Sequence, residues 1–104
     1  MSYSHQIQKN CLIVQLSTIE DDLSFVNSLF NQDCKHLILD LTEVLNINAK
    51  HLTKFTKFGK NLVQHNSFVM ISNQFFQKNF LIVPTLKEAF DIIEMEDIER
   101  SLNI

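Results

Sequence analysis

Short apolar runs alternate with segments of helical period along this chain, and that alternation restricts it to folds built on a largely parallel sheet. Cys11-Leu12-Ile13-Val14-Gln15-Leu16, His36-Leu37-Ile38-Leu39-Asp40-Leu41 and Ser67-Phe68-Val69-Met70-Ile71-Ser72 carry the aliphatic and β-branched residues that strands favour. The last run is apolar between its serines, the pattern of a strand covered on both faces. Tyr3 to Lys9 alternates weakly and reads as an edge strand, with Asn10 at a hairpin turn before Cys11. Leu81-Ile82-Val83 reads as a short last strand.

Helical signals fill the intervals. Ser17 or Thr18 opens a first helix: Glu20 stands three residues after Ser17, as a capping box requires, and Asp21 and Asp22 suit the positive end of the helix dipole. Ile19, Leu23, Val26 and Phe30 recur at helical spacing behind them. A second helix runs from about Ala49 to His65, after the short polar stretch Leu45-Asn46-Ile47-Asn48, with Leu52, Phe55, Gly59, Leu62 and Val63 as its apolar stripe. A third helix begins at Pro84-Thr85, where Thr85 and Glu88 form a capping box. Its expected buried stripe is Leu86, Ala89, Phe90, Ile93 and Ile98. One glycine and one proline among 104 residues leave no material for a linker, so residues 1–104 are expected to form one domain.

Several function classes lose support at this level. A net charge of −3 is repelled by a phosphate backbone, so nucleic acid is not an expected partner. No apolar run approaches the roughly 20 residues of a membrane-spanning helix. The first residues show no export signal, which predicts a cytoplasmic chain with Cys11 and Cys34 reduced. There is no paired CxxC, HExxH, GxSxG or glycine-rich phosphate loop, so neither a metal, a cofactor nor an enzymatic activity is expected. Cys11, inside an apolar strand, reads as an inert core residue.

The stretch Leu37 to His51 carries a resemblance. An apolar strand ending in Asp40-Leu41-Thr42, a short link, and then Asn48-Ala49-Lys50-His51-Leu52 at a helix start resembles the signature of STAS domains, the sulfate-transporter and anti-sigma-factor-antagonist family. There an Asp-Leu-Ser strand end precedes Asp-Ser-Ser-Gly-Leu. The resemblance implies a mixed α/β sheet of about five strands with helices chiefly on one side. It also implies a regulatory protein whose partner docks at the start of the second helix. In the antagonists a serine of that motif accepts a phosphate, but both serine positions are filled here by Ala49 and Lys50, so the phosphorylation switch is not inherited at this motif. His51 replaces the usual glycine, and Asn73 to Leu81 is too short for the family's third helix, which is expected to be shortened or absent.

The expected docking residues are Asn46, Asn48, Ala49, Lys50, His51 and Lys54, and the expected partner is another protein. An alternative is a sensor that binds a nucleotide or other anion at the same helix N-terminus. Lys50, Lys54 and Lys57, with Lys60 nearby, form a basic stripe that fits either a solvated helix face or an acidic partner. Glu88, Asp91, Glu94, Glu96, Asp97 and Glu99 load the last helix with acid. They read as a solubilising surface, or as a face that pairs with the lysines of another copy in a weak homodimer. Phe75, Phe76 and Phe80 either cover the sheet where a helix is missing or anchor a partner.

Overall fold

A computed structural model describes residues 3–18, 22–74 and 81–102. Its elements follow in the order β1 (Tyr3–Gln8), β2 (Cys11–Leu16), α1 (Ser24–Leu29), β3 (His36–Asp40), α2 (Ala49–Val63), β4 (Phe68–Ile71), β5 (Ile82–Val83) and α3 (Leu86–Leu102). The strands form one sheet in the order β1-β2-β3-β4-β5. β1 and β2 pair antiparallel, and β2 through β5 pair parallel. This is the mixed five-stranded α/β architecture expected from the sequence.

The buried strands alternate between two cores. Leu12, Val14, Leu16, Leu37, Leu39, Phe68 and Met70 turn to one face, where they meet Val26 of α1 and Leu52, Phe55 and Val63 of α2. Cys11, Ile13, Ile38, Val69 and Ile71 turn to the other, where Ala89 and Ile93 of α3 cover them. The helices therefore divide two and one, not chiefly to one side. Right-handed crossovers between neighbouring parallel strands put α1 and α2 on the same face. α3 comes after β5, the last described strand, and covers the face they leave bare.

Two local expectations need correction, and another lies outside the described residues. The first helix starts at Ser24, not at Ser17 or Thr18, which form an exposed bend; the amide of Ser24 donates to Asp22 Oδ1 at 2.9 Å. Glu20, the other half of the expected box, lies outside the described residues. The expectation of a shortened or absent third helix, and the reading of Phe75, Phe76 and Phe80, fall on residues 75–80, also outside them. Ile98 is 53% exposed and does not join the buried stripe of α3.

The start of α3 is as expected, with the Glu88 amide donating to Thr85 Oγ1 at 3.2 Å. Gly59 marks a close helix–sheet approach, since a Cβ there would overlap the ring of Phe68. The left-handed backbone positions among the described residues are Lys9, Asn10, Asn46 and Gln64, none of them glycine. Lys9 and Asn10, at φ 54° and 64°, make the type I′ turn between β1 and β2.

Candidate functional site

The parallel strands end at one edge of the sheet, and the loops that leave them there gather around the start of α2. β3 is terminated by its own last side chain: Asp40 Oδ1 accepts from the amide of Thr42 at 2.9 Å and from its hydroxyl at 2.7 Å. Asp40 Oδ2 accepts from Gln15 Nε2 at 3.4 Å, tying the turn to β2. The Asp-Leu-Thr triplet is thus a strand terminator, with Leu41 between the polar pair fully buried.

Beyond it the chain must bury two residues and expose the one between them. Val44 and Ile47 are buried, while Leu45 is 77% exposed. Asn46 makes this possible by adopting φ 62°, a conformation that asparagine tolerates better than other non-glycine residues. Gln74, arriving from the end of β4, donates from Nε2 to the Val44 carbonyl at 2.9 Å and braces the loop. Ser17, Thr18, Glu43, Val44, Leu45 and Asn46 line a shallow depression of about 380 Å³.

Asn48 caps α2. Its side-chain oxygen accepts from the His51 amide at 3.0 Å, and His51 Nδ1 accepts from the Asn48 amide at 3.4 Å, so the two residues close a reciprocal capping box. His51 therefore has a local structural task at the helix start. Its amide is consumed by the cap and that of Leu52 bonds the Asn48 carbonyl at 3.2 Å, leaving the amides of Ala49 and Lys50 at the first turn.

Of the six expected residues, Asn46, Asn48, Ala49, Lys50 and Lys54 are exposed and His51 is half-buried, all within the loop and first turns of α2. Lys54 lies toward α1. Asp22 is held below the usual carboxylate range by hydrogen bonds from the amide and hydroxyl of Ser24, with a further contribution from the charge of Lys54. Lys57 and Lys60 continue the exposed basic face. The sequence does not distinguish Leu45, because within Val44-Leu45-Asn46-Ile47 nothing short of the backbone turn at Asn46 tells which apolar residue faces out.

A second polar cluster sits at the opposite edge, where β3 and β4 begin. His36 is 2% exposed; its Nδ1 accepts from the Ser67 amide at 3.0 Å, which leaves the proton on Nε2 to donate to Asp97 Oδ2 at 3.1 Å. Arg100 Nη2 donates to Asp97 Oδ1 at 2.6 Å and to Ser67 Oγ at 2.8 Å, and the Ser67 hydroxyl donates to Glu96 Oε1 at 2.5 Å. Burial pushes the His36 pKa down against the upward pull of Asp97. Burial raises Asp97, but the Arg100 hydrogen bond and the His36 and Arg100 charges outweigh it, so its carboxyl lies below its ordinary value.

Glu96, Asp97 and Arg100 thus contact the sheet end and are not purely a solvated acidic surface. Serine, histidine and aspartate meet here without forming a catalytic relay. The histidine bonds the serine's amide rather than its hydroxyl, and both ring nitrogens are engaged, so the imidazole has no free position from which to act as a base. The Cys11 thiol is pushed up to about 11, by burial first and then by the charges of Asp97 and Cys34, against a downward pull from Lys9. Among the described residues no group of three or more His, Cys, Asp or Glu is placed to hold a metal, and no helix is long and apolar enough to cross a membrane.

Comparison with protein-family models and with curated proteins finds no match to this chain. What stands is a mixed α/β domain with an exposed apolar residue beside a basic helix start.

Proposed function

We propose that the chain is a non-catalytic, STAS-like regulatory module that lacks the phosphorylatable serine and binds an acidic partner protein through the loop Leu45–Asn48 and the first turns of α2. The observation that carries this is Leu45, 77% exposed and turned out by the left-handed residue Asn46. A large aliphatic side chain on a loop braced by Gln74 has the character of a preorganised anchor. Lys50 and Lys54 supply basic charge beside it, which suits an acidic rim on the partner. The engaged nitrogens of His36 and the raised thiol of Cys11 support a role without catalysis. An anion sensor at the same place would draw on the amides of Ala49 and Lys50 and on the same lysines but would leave the exposed Leu45 without a use, which makes protein docking the better-supported reading.

The test is capture from native lysate with tagged wild type, Leu45→Ser, and Lys50→Glu/Lys54→Glu, after all three are shown to be folded. One partner retained by wild type and lost by both variants is the expected outcome. Equal capture by all three, or a variant-independent empty result, refutes docking at this edge.

A further inference from the structure

The two edges of the sheet are unlike. β5 is two residues long and offers little backbone to a neighbouring strand. β1 is six residues long, Tyr-Ser-His-Gln-Ile-Gln, and runs its whole length in continuous register with β2. Natural edge strands are commonly blunted by lysine or other charge, by proline, by a bulge, or by being short. β1 has none of these devices: no Asp, Glu, Lys, Arg or Pro occurs between Tyr3 and Gln8.

The turn fixes which backbone groups are on offer. In a two-residue hairpin the residues flanking the turn are a hydrogen-bonded pair, here Gln8 and Cys11. Alternation then sends the amides and carbonyls of Gln8, Gln6 and Ser4 to β2, and leaves those of Tyr3, His5 and Ile7 directed outward. The same three residues stand opposite Leu16, Val14 and Leu12, so their side chains lie on the α1/α2 face. Ile7 is 43% exposed there, and Tyr3 stacks on Phe25 with ring centroids 4.2 Å apart.

We propose that β1 pairs antiparallel with the β1 of a second copy of this chain, about a two-fold axis at His5, continuing the sheet across both copies. In this register Tyr3 faces the second copy's Ile7, His5 faces its own counterpart, and all three are hydrogen-bonded pairs, each exchanging two bonds. Sliding the centre to Gln6 loses that match and drops Tyr3 off the end of the strand. The aromatic–aliphatic pair Tyr3–Ile7 occurs twice, and Ser4 meets Gln6 on the opposite face, so the strand complements itself. Charge also permits it. The strand carries no formally charged acid or base, and α3, which holds six of the 12 acidic residues, packs chiefly on β3, β4 and β5 and comes near β1 through the apolar Leu86 and Phe90.

Sedimentation velocity across a concentration series, with residue-resolved amide exchange at its two ends, tests this. The expected result is reversible dimerisation in which the amides of Tyr3, His5 and Ile7 are protected at high concentration and lose protection on dilution. Those of Ser4, Gln6 and Gln8 stay protected throughout. Ile7→Lys, at an exposed position, is expected to weaken association on the order of tenfold because it enters both Tyr3–Ile7 pairs. Should that variant misfold, the wild-type exchange pattern decides alone. A monomer up to about 1 mM overturns the proposal, as does a dimer whose Tyr3, His5 and Ile7 amides stay unprotected, or protection of those amides that appears only when another protein is added.

Discussion

Replacing Gly59 with alanine sets a favourable local effect against an unfavourable packing one. In a helix interior alanine is better than glycine by about 1 kcal/mol, so propensity alone predicts a stabilised protein. The structure reverses the sign. The new Cβ would overlap Cδ1, Cε1 and Cγ of Phe68, atoms at the root of a ring that is only 6% exposed, and neither the ring nor α2 can yield freely. Overpacking of this kind costs about 1–3 kcal/mol, and the depth of the overlap places it toward the upper end. The net is a loss of about 1–2 kcal/mol, or a fall in Tm of about 5–15 °C for a domain of this size. Differential scanning calorimetry or urea titration reads it directly. Combining Gly59→Ala with Phe68→Leu should recover part of the loss, giving a coupling of at least about 0.5 kcal/mol in a double-mutant cycle. A Gly59→Ala protein as stable as wild type, or more so, would refute the close approach of α2 to β4.

Two further expectations follow from the cluster at the start of β3 and β4. Burial holds His36 below its ordinary 6.5, so the unfolded chain takes up a proton that the native protein refuses. Stability should therefore be complete above pH 6.5 and fall as the pH drops from there toward the folded value. Asp97, lowered from 3.8, extends the loss to more acidic pH. Urea midpoints at pH 7.5 and 5.5 should differ for wild type and differ less for His36→Gln; an unchanged difference would exclude His36 as the source. Cys11, at about 11, has only about one thiol in a thousand ionised at pH 8, so iodoacetamide should modify it in denaturant but not in the folded protein. Stoichiometric labelling of native Cys11 within minutes would contradict its burial.

The sequence was most informative where burial is uniform. β2, β3 and β4 lie under helices on both faces, so their apolar runs have no solvent side to interrupt them. The start of α3 was legible because Thr85 caps it through a bond that spans three residues, whereas α2 was placed by the polar stretch before it and its cap, Asn48 with His51, is seen only in the structure. The Ser17–Glu20 pair carries the same local signature as Thr85–Glu88, yet the described helix begins at Ser24, where Leu23 and Val26 reach the core. A capping box states that a helix could start, whereas tertiary burial decides where it does. Ile98 misled for a related reason. Apolar spacing assumes an apolar surface along the whole helix, but the last turns of α3 meet His36 and Ser67, so Glu96, Asp97 and Arg100 bond to that polar end of the sheet and Ile98 is left exposed. The candidate site was legible as a place, through the resemblance at Asp40 to Leu52, but not as a surface, since the orientation of Leu45 depends on one backbone dihedral at Asn46.

That dihedral belongs to a wider allocation. The chain has one glycine and uses it at Gly59, where the need is for missing volume, while its left-handed turns are filled by lysine, asparagine and glutamine. Lys9 and Gln64 hold conformations that side chains of their kind rarely adopt, so part of the folding free energy is held as tension in two exposed turns rather than in the core. Such a domain retains an untapped margin. Glycine at either turn could release the tension, at the cost in the first of the contact between Lys9 and the Phe90 ring, so natural variants could tolerate damaging substitutions elsewhere by first relaxing a turn.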